Sequence, residues 1–412
     1  MVVMNDNVIV GIDIGTTKIC TVIGEIANDG VLDIIGEGTV PSDGMRKGVV
    51  TNLERTINSV RQSVKTAERM AGIGVEKAWV GVSGQHLKAI TSHGISAIRR
   101  NQSINQTDIN RTIEAAQAIP SDSNMEVIHV IPQEYVIDGN DGIKDPLGMS
   151  GVRLEVDVHI ISNTHGELNN LRRCVSDAGI EVQGPIYQAL ASGLAVLLPE
   201  EKEETIILID IGGGTTDLGV FRRGILAHSC VIPLGGDHIT KDISQIAKIP
   251  FNEAERIKKK YAVAIPSLAD REFSLEVSNP NYTTSISAFE LAQIVNPRII
   301  EILDLAKQEI EQSMGSLEVL ASNVVLTGGS SLMSGMDQVT TERFRLPVRI
   351  ANPYNVSGLK DIVSSPTHST AVGLIRYGMD YIGSISEQPD KNQSTSGSSF
   401  FDSIKKVLGD FF

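Results

Sequence analysis

The sequence is poor in cysteine and aromatic residues and has no apolar run long enough to cross a membrane. Its three cysteines, Cys20, Cys174 and Cys230, form neither a CxxC pair nor a Cys/His cluster, so the sequence indicates no disulfide framework and no zinc site. The longest mostly apolar run, residues 186–198, is too short for a hydrocarbon core of about 30 Å and predicts a buried helix. Because the sequence shows no signal peptide, we expect a protein of the reducing cytoplasm that is soluble or reaches a membrane only through a surface-lying segment.

The charge balance is acidic, with a formal net charge of −14 and a pI of about 5.1. An acidic chain repels nucleic-acid phosphate, so we expect no nucleic-acid partner. The hydrophobic content of 41% is enough for more than one sizeable core, and the length of 412 residues predicts about two to four domains.

Two parts of the sequence repeat one pattern: an apolar strand, a Gly/Thr-rich turn, a second strand, a glycine hairpin and a third strand. Residues 8–26 read VIVGIDIGTTKICTVIGEI, and residues 205–220 read TIILIDIGGGTTDLGV. Asp13 and Asp210 hold equivalent places in the two copies. The duplication predicts an α/β fold in which two similar halves face each other across a cleft.

The first turn carries residue types suited to binding phosphate: Asp13, Gly15, Thr16, Thr17 and Lys18. Gly15 permits a tight turn that directs backbone N–H groups at an anion, the threonines add hydroxyls, and the lysine neutralises charge. Asp13, at the end of a strand, suits magnesium binding through water, because this ion keeps several of its waters. A β-hairpin with a threonine-rich turn and no ligand is the alternative for this motif alone.

The second turn repeats these features around three successive glycines. Its candidate residues are Asp210, Gly212, Gly213, Gly214, Thr215 and Thr216. The glycines allow the backbone to approach an anion closely, and Asp210 repeats the magnesium role of Asp13. A purely structural Gly-Gly-Gly after an apolar strand is rare, so the motif favours a second phosphate loop.

A third strand-to-glycine junction follows later in the chain. Residues 324–327 are apolar or threonine and lead into Gly328, Gly329, Ser330 and Ser331. Backbone of this kind packs well against a flat base and sugar. The motif alone also fits an ordinary strand-to-helix junction, but its place after the two turns supports nucleotide binding.

Together the three motifs resemble the superfamily of actin, the sugar kinases and the heat-shock chaperone ATPases. The resemblance implies duplicated actin-like (ribonuclease H-like) halves around a nucleotide cleft, with ATP and Mg2+ as cofactors. It implies that both turns contact the phosphates and that the Gly-Gly-Ser-Ser element lies beside adenosine. Residues 255–258 (ERIK) resemble the adenine-side helix of the bacterial actin MreB, so Glu255 and Lys258 are further candidates. A solvated, charged helix face is the alternative for these residues.

Further motifs resemble the FtsA family of bacterial division actins. They are residues 44–48 (GMRKG), 130–135 (VIPQEY), 148–153 (GMSGVR) and 369–374 (STAVGL). The resemblance covers essentially the whole chain and implies a peripheral protein on the cytoplasmic face of the inner membrane at the division site. Such proteins bind ATP, form filaments with copies of themselves, tether the tubulin-like FtsZ ring and recruit later division proteins. The FtsZ C-terminal tail docks on the smaller subdomain of the second half, where Arg298 is a candidate contact.

The same resemblance predicts how the chain divides. The predicted parts are a first actin-like half (1–83 plus 163–200, with a return helix at about 366–383), an inserted small α+β domain (84–162), a second half (201–236 plus 299–365), its smaller subdomain (237–298), a flexible linker (384–399) and an amphipathic membrane-targeting helix (400–412).

Apolar periodicity predicts helices at residues 53–71, 167–178, 184–198 and 287–314. Ser287 is a candidate N-cap before Glu290. Pro297 should start a new helix or kink the existing one, because proline cannot complete the intrahelical hydrogen bonds.

One departure from the superfamily concerns hydrolysis. In its efficient ATPases, a Gln or Glu at the start of the helix leading into Ala-Ser-Gly orients the attacking water. The matching stretch here, residues 183–193, places Gly184 at that position and Gln183 beside it. Because such a group contributes about 10²–10⁴-fold, the sequence predicts slow ATP hydrolysis, below about 1 s⁻¹.

The C-terminal segment is amphipathic and follows a polar linker. Its apolar residues, which share one helical face, are Phe400, Phe401, Ile404, Val407, Leu408, Phe411 and Phe412. A helix of this length can lie in the membrane interface but cannot span it. A helix docked on the protein's own core is the alternative, and the long polar linker argues against it.

Two other functions fit the same superfamily. A sugar kinase needs a carboxylate base in a sugar pocket, and the sequence offers no such residue that we can assign. A pilus-assembly actin homologue is the closer alternative, against which the amphipathic C-terminal segment argues.

Overall fold

The structure, a computed structural model, describes residues 7–27, 30–99, 102–118, 122–279 and 282–386. The predicted membrane helix at 400–412 lies outside the described residues, as does the predicted linker apart from residues 384–386, which end a helix. None of the helices in the described ranges combines the length and the apolar composition that crossing a bilayer requires.

A β-meander followed by a helix opens the chain. The elements are β1 (Val8–Ile14), β2 (Lys18–Ile26), β3 (Leu32–Pro41), β4 (Met45–Arg46), β5 (Val49–Val50), α1 (Leu53–Ala71) and β6 (Lys77–Val82). The predicted helix at 53–71 is confirmed. Asn52 caps it by accepting a hydrogen bond from the backbone of Arg55, and Gly72 ends it in the left-handed conformation.

A small α+β unit follows before the chain returns to the first sheet. Its elements are β7 (Lys88–Ala97), α2 (Gln106–Gln117), β8 (Met125–Ile137), β9 (Asn140–Ile143) and β10 (Arg153–Thr164). The four strands form an antiparallel sheet in the order β7-β10-β8-β9, and α2 packs against β7 and β10. The unit has a hydrophobic core of its own, formed mainly by residues of α2, β8 and β10.

The return to the first sheet differs from the sequence prediction. Its elements are α3 (His165–Ser176), β11 (Glu181–Tyr187) and α4 (Gln188–Val196). The helix predicted at 167–178 is confirmed, but the one predicted at 184–198 is wrong for residues 184–187, which complete β11 beside β6. A short apolar run fits a buried strand as well as a helix, and Pro185 is tolerated because β11 is an edge strand.

The second half begins with a second meander and continues through helices. The elements are β12 (Thr205–Ile211), β13 (Thr216–Arg222), β14 (Ile225–Ile232), α5 (Gly236–Ile246), α6 (Phe251–Tyr261), β15 (Ser274–Asn279), β16 (Tyr282–Ser287) and α7 (Ala288–Met314). The predicted cap is confirmed, because Ser287 and Glu290 form a capping box at the start of α7. No second helix starts at Pro297, since α7 runs through it and buries apolar residues on both sides.

The remaining elements complete both halves. They are α8 (Leu317–Leu320), β17 (Asn323–Thr327), α9 (Met336–Phe344), β18 (Val348–Ile350), β19 (Val356–Gly358), α10 (Lys360–Val363) and α11 (Ser369–Ser386). β19 pairs with β3, so the chain rejoins the first sheet before the return helix that the sequence places at about 366. This three-residue strand is too short for its periodicity to be recognised.

Two sheets with the same strand arrangement form the centre of the protein's two halves. Their strand orders are β11-β6-β1-β2-β3-β19 and β14-β13-β12-β17-β18. In each, the first strand of the antiparallel meander also pairs in parallel with a later strand, β1 with β6 and β12 with β17. α4 and α11 pack together in a core that draws residues from both sheets. Their backbones meet at Gly373, where a Cβ would lie 1.7 Å from the carbonyl oxygen of Ala191.

Candidate functional site

Two hairpins of the same geometry form the centre of the site. Gly15 N donates to Lys18 O at 3.0 Å between β1 and β2, and Gly212 N donates to Thr215 O at 3.0 Å between β12 and β13. The strand registers on either side of the two turns match at one constant offset. The repeat seen in the sequence is therefore a repeat of backbone structure.

The tips of the two hairpins, Thr16-Thr17 and Gly213-Gly214, touch each other. A Cβ added to Gly213 would lie 1.6 Å from Thr17 Oγ1, and one added to Gly214 would lie 2.3 Å from Thr16 Oγ1. Only glycine allows this approach without displacing the threonines. The structure thus brings both predicted turns to one place.

Asp13 and Asp210 lie buried at the ends of β1 and β12. Asp13 Oδ1 accepts a hydrogen bond from Gln188 Nε2 at 2.9 Å. Asp210 Oδ2 accepts from Ser192 Oγ at 2.5 Å and from Thr370 Oγ1 at 3.3 Å. Burial raises the pKa of Asp13 to about 6, although Lys18 counteracts it, and burial also raises the pKa of Asp210.

A third carboxylate, Asp217, lies beside these two and is almost fully buried. It accepts hydrogen bonds from Ser83 Oγ at 2.5 Å and from Thr215 Oγ1 at 3.1 Å. Burial raises the pKa of Asp217 to about 8, and the charges of Asp210 and Asp13 add to the rise. Ser83 immediately follows β6, so this hydrogen bond joins the second hairpin to the point where the inserted unit begins.

Asp13 and Asp210 offer carboxylate oxygens of the kind that a divalent metal ion binds. Carboxylate and hydroxyl oxygens are the ligands that Mg2+ prefers. Ionised acids buried together repel each other, and a divalent cation would remove that penalty. The residue types present therefore fit magnesium, which Asp13 and Asp210 would hold directly or through water. Asp217 is a further buried acid that acts on them electrostatically and that the prediction did not include.

The remaining residues of the first turn face neighbouring segments. Lys18 Nζ donates to the carbonyl oxygen of Thr367 just ahead of α11. Thr16 Oγ1 accepts from Gly48 N at 3.0 Å, and Thr17 Oγ1 lies 3.5 Å from Asp237 Oδ1. These contacts hold the first turn in place. The hydroxyls of Thr16 and Thr17 lie where the two hairpins meet.

A helix start, at the beginning of α5, lies directly against the second turn. Gly236 N donates to Gly212 O at 2.9 Å, and Asp237 N donates to Gly213 O at 2.8 Å. Lys258 Nζ donates to Gly236 O at 3.0 Å and pairs with Glu255 at 2.7 Å. The charged residues Glu255 and Lys258 are thus brought to the edge of the cleft, where Lys258 is only slightly exposed.

The Gly-Gly-Ser-Ser element contributes two of its four residues to the cleft. A Cβ on Gly328 would lie 2.3 Å from Asp210 Oδ1, and Ser330 Oγ donates to Gly212 O at 3.2 Å. Gly329 follows in the same turn. Ser331 is fully buried and donates to Gly328 O at 2.7 Å, so its hydroxyl caps its own turn.

Two threonines of the second turn likewise serve the fold. Thr216 Oγ1 donates to Leu234 O at 2.9 Å, and the Thr215 hydroxyl is bonded to Asp217. Backbone amides, and not these hydroxyls, are therefore the groups that the second turn offers to a ligand.

Gln188 is the cleft residue that sequence reasoning missed most clearly. The sequence placed Gly184 at the position of the water-orienting residue, but Gly184 lies within β11. The helix begins at Gln188, whose amide reaches Asp13, and so the assignment of Gly184 is wrong. The sequence does not show where β11 ends and α4 begins, and this boundary decides which residue starts the helix.

Arg298 lies on a separate surface. It pairs with Asp242 at 2.6 Å on the rim of a groove of about 630 Å³ between α5, α7 and the β15-β16 hairpin. The groove is lined by Asp242, Ile246, Ala247, Val277, Ser285, Ile286, Glu290, Gln293, Ile294, Pro297, Arg298 and Glu301. Its apolar floor and charged rim are suited to a peptide.

Comparison with known protein families gives two matches. A model described as "Cell division protein FtsA" matches residues 207–373, and one described as "SHS2 domain inserted in FTSA" matches residues 84–162. The FtsA protein of Pseudomonas aeruginosa is 40% identical over 97% of this chain and 94% of its own length. That of Neisseria meningitidis serogroup B is 39% identical over 92% of each.

Solved structures share the fold at low identity. A PilM–PilN type IV pilus biogenesis complex matches with a TM-score of 0.66 and 15% identity, covering 90% of this chain and 98% of the other. MreB5 of Spiroplasma citri bound to ADP matches with a TM-score of 0.56 and 15% identity, covering 93% and 99%. The predicted actin-like fold with an inserted domain is confirmed.

Proposed function

This chain belongs to the FtsA family of cell division proteins, and we propose that it is an ATP-binding actin homologue that polymerises and tethers the FtsZ ring to the membrane. The observation that carries the nucleotide part is the meeting of the two hairpin tips beside three buried carboxylates. The MreB5 structure, which has the same fold and was solved bound to ADP, also supports this part.

In the proposed complex each element has one task. The backbone amides of Gly213 and Gly214, with Thr16, Thr17 and Lys18, hold the phosphates, while the amides of Gly15 and Gly212 close the two turns. Asp13 and Asp210 hold Mg2+, which supplies charge neutralisation to the phosphates. Gly328, Gly329 and Ser330 lie on the adenosine side together with Glu255 and Lys258. Thr215, Thr216 and Ser331 support these turns from within the fold.

Calorimetric titration with ATP tests this assignment. We expect one binding site per chain in the presence of Mg2+ and a much weaker one in EDTA, because the metal balances both the phosphates and the buried acids. Equal affinity in the two conditions would contradict the metal role of Asp13 and Asp210, and no binding in either would contradict the cleft assignment.

The Arg298 groove is the proposed docking site for the FtsZ C-terminal tail. Its lining includes Ile246 and Ile294 for apolar side chains and charged residues at the rim for the peptide backbone and carboxylates. Arg298 holds Asp242 in place and is itself partly exposed, so it can contact a peptide and also keeps the groove in shape.

The proposed docking of the FtsZ tail in this groove can be tested by replacing Arg298 and, as a control, a second arginine that forms a similar ion pair elsewhere. We expect Arg298→Gln to weaken binding of a labelled FtsZ tail peptide by roughly tenfold or more, because a charge-assisted hydrogen bond is lost at the rim. Arg343→Gln is the control, since Arg343 makes a similar pair with Asp304, at 2.7 Å, outside the groove. Fluorescence anisotropy measures both, and equal affinities would place the tail elsewhere.

The remaining parts of the proposal concern the membrane, the inserted domain and location. We propose that residues 400–412 bind the cytoplasmic face of the inner membrane at the division site, and that 384–399 link them to the actin-like halves (1–83 plus 163–200; 201–236 plus 299–365). The inserted domain, 84–162, would make filament contacts and recruit later division proteins, and 237–298 would carry the FtsZ tail.

A further inference from the structure

Three side chains with metal-binding atoms lie together between the second sheet and α7. They are His228 and Cys230 of β14 and Glu309 of α7. One ligand atom from each, a ring nitrogen, the Sγ and a carboxylate oxygen, lies within 4.8 Å of the other two. All three residues are partly buried, so the group is sheltered but not sealed from solvent.

The backbone places these side chains side by side. His228 pairs with Val220 and Cys230 with Leu218 in an unbroken stretch of the antiparallel ladder, so the two side chains point to the same face of β14. α7 packs on β14 and supplies Glu309. β14 is an edge strand, and its position fixes the two donors without any flexible loop.

One polar atom of this group lacks a hydrogen-bond partner. His228 Nε2 is buried and has no hydrogen-bond partner among the described residues. In contrast, the other mixed cluster, Cys20, Glu37 and His368, is held by internal contacts, with Glu37 within 3.5 Å of His368 and 3.9 Å of Cys20. Buried polar groups are normally paired, so an unpaired imidazole nitrogen beside a thiol and a carboxylate needs an explanation.

We infer that His228, Cys230 and Glu309 form a binding site for one zinc ion. A thiolate, a carboxylate and a neutral imidazole carry two negative charges, which Zn2+ balances. Thiolate and imidazole are ligands that zinc accepts and that Mg2+ and Ca2+ do not prefer. With three protein ligands, water takes the fourth position.

The proposed ion adds a direct link between two elements that pack against each other. It cross-links β14 to α7 at the place where the inserted domain rests on the same strand. There His159 of β10 contacts Ser229, the residue between the two ligands, with Nε2 and Oγ 2.9 Å apart. The site would therefore brace the strand that connects the second half with the inserted domain.

Cobalt substitution of the full-length protein tests the site directly. Chelator-treated protein is titrated with Co2+ and then with Zn2+ while the visible and near-ultraviolet spectrum is recorded. We expect one equivalent of Co2+ to give a thiolate-to-cobalt charge-transfer band, and one equivalent of Zn2+ to abolish it. Cys230→Ser should lose the band, and Glu309→Gln should weaken binding by at least about tenfold.

Cys174→Ala is the matched control, because Cys174 is a buried cysteine far from the group in the chain. It should keep the band and the stoichiometry. Circular dichroism verifies that each variant is folded, and protection of Cys230 from alkylation by Zn2+, followed by mass spectrometry, tests the wild-type chain without any variant. The inference is overturned if wild-type protein gives no band and no protection, or if the band depends on Cys174 and not on Cys230.

Discussion

At the scale of single residues, the site depends on acids that the fold buries. Asp13, Asp210 and Asp217 are each less than a tenth exposed, and burial raises the pKa of every one of them. Hydrogen bonds to Asp210 and Asp217 offset part of the cost of burying these carboxylates. The donors are the hydroxyl groups of Ser192, Thr370 and Ser83. Burial of these acids is unfavourable without a counter-charge, and the proposed Mg2+ would relieve that cost and so stabilise the folded protein.

Asp217→Asn should stabilise the metal-free protein, and more so at high pH. The folded pKa of about 8 lies above the ordinary value of 3.8, so the native state binds an extra proton between these values. Stability linked to this group is therefore present at low pH and is lost as pH rises from about 4 to about 8. Asparagine cannot ionise, so the variant does not lose this stability as the pH rises. Its advantage in the free energy of unfolding over wild type therefore grows by at most about 1.4 kcal/mol per pH unit.

Urea unfolding in EDTA between pH 5 and pH 8 measures this effect. The difference in the free energy of unfolding between Asp217→Asn and wild type should grow with pH. In saturating Mg2+ and ATP the order should reverse, because the variant has lost an acid that the cation favours. A difference that does not change with pH in EDTA would contradict the interpretation.

Gln188 should influence ATP turnover more than its neighbour Gln183. Gln188 begins α4 and reaches Asp13, whereas Gln183 lies on β11. If Gln188 helps to orient water, Gln188→Ala should lower turnover by about 10²-fold or more with little change in ATP affinity. Phosphate release measures this, with Gln183→Ala as the control. The slow hydrolysis expected from the sequence stays a prediction, but its stated reason no longer applies, because Gln188 and not Gly184 begins the helix. A larger effect of Gln183→Ala would favour Gln183 as the residue that orients water.

At the scale of elements, the two hairpins depend on each other. Their turns have the same hydrogen bond and register, but the tips differ: Thr16-Thr17 on one side and Gly213-Gly214 on the other. Side chains on both tips would collide. The asymmetry between the copies is therefore what permits them to meet.

Gly213→Ala should abolish or strongly weaken ATP binding. Its Cβ would lie 1.6 Å from Thr17 Oγ1, so one of the two turns must move. Gly166→Ala in α3 is the control, because a Cβ there meets nothing within 4 Å and alanine is a better helix former by up to about 1 kcal/mol. Calorimetry should show lost binding for the first variant and unchanged binding for the second; equal binding would mean that the tips do not need to touch.

At the scale of the whole molecule, the proposed function joins three surfaces on one chain. The cleft lies between the sheets, the groove at Arg298 lies on the second half, and residues 400–412 lie outside the described residues. A short amphipathic helix gives weak, reversible membrane binding, and filaments multiply it by avidity.

Deletion of residues 400–412 should release the protein from liposomes without affecting ATP binding. Co-sedimentation with vesicles, with and without ATP, measures the first, and calorimetry checks the second. A charge-matched control replaces Phe411 and Phe412 with alanine, which should weaken binding because it removes apolar surface while it keeps every charge. Membrane binding by the truncated chain at the wild-type level would remove this part of the proposal.

The amino-acid sequence by itself determined the repeated turns, the capped start of α7 and the actin-like class, because these depend on local patterns and on a duplication. It did not determine that Ser83 binds Asp217, that Gln188 reaches Asp13, or that His228 and Cys230 meet Glu309. Those contacts join residues distant in the chain, and they depend on how strands pair and helices pack. A linear pattern records which residue types are available, but only the packed structure decides which of them share one small, poorly solvated volume.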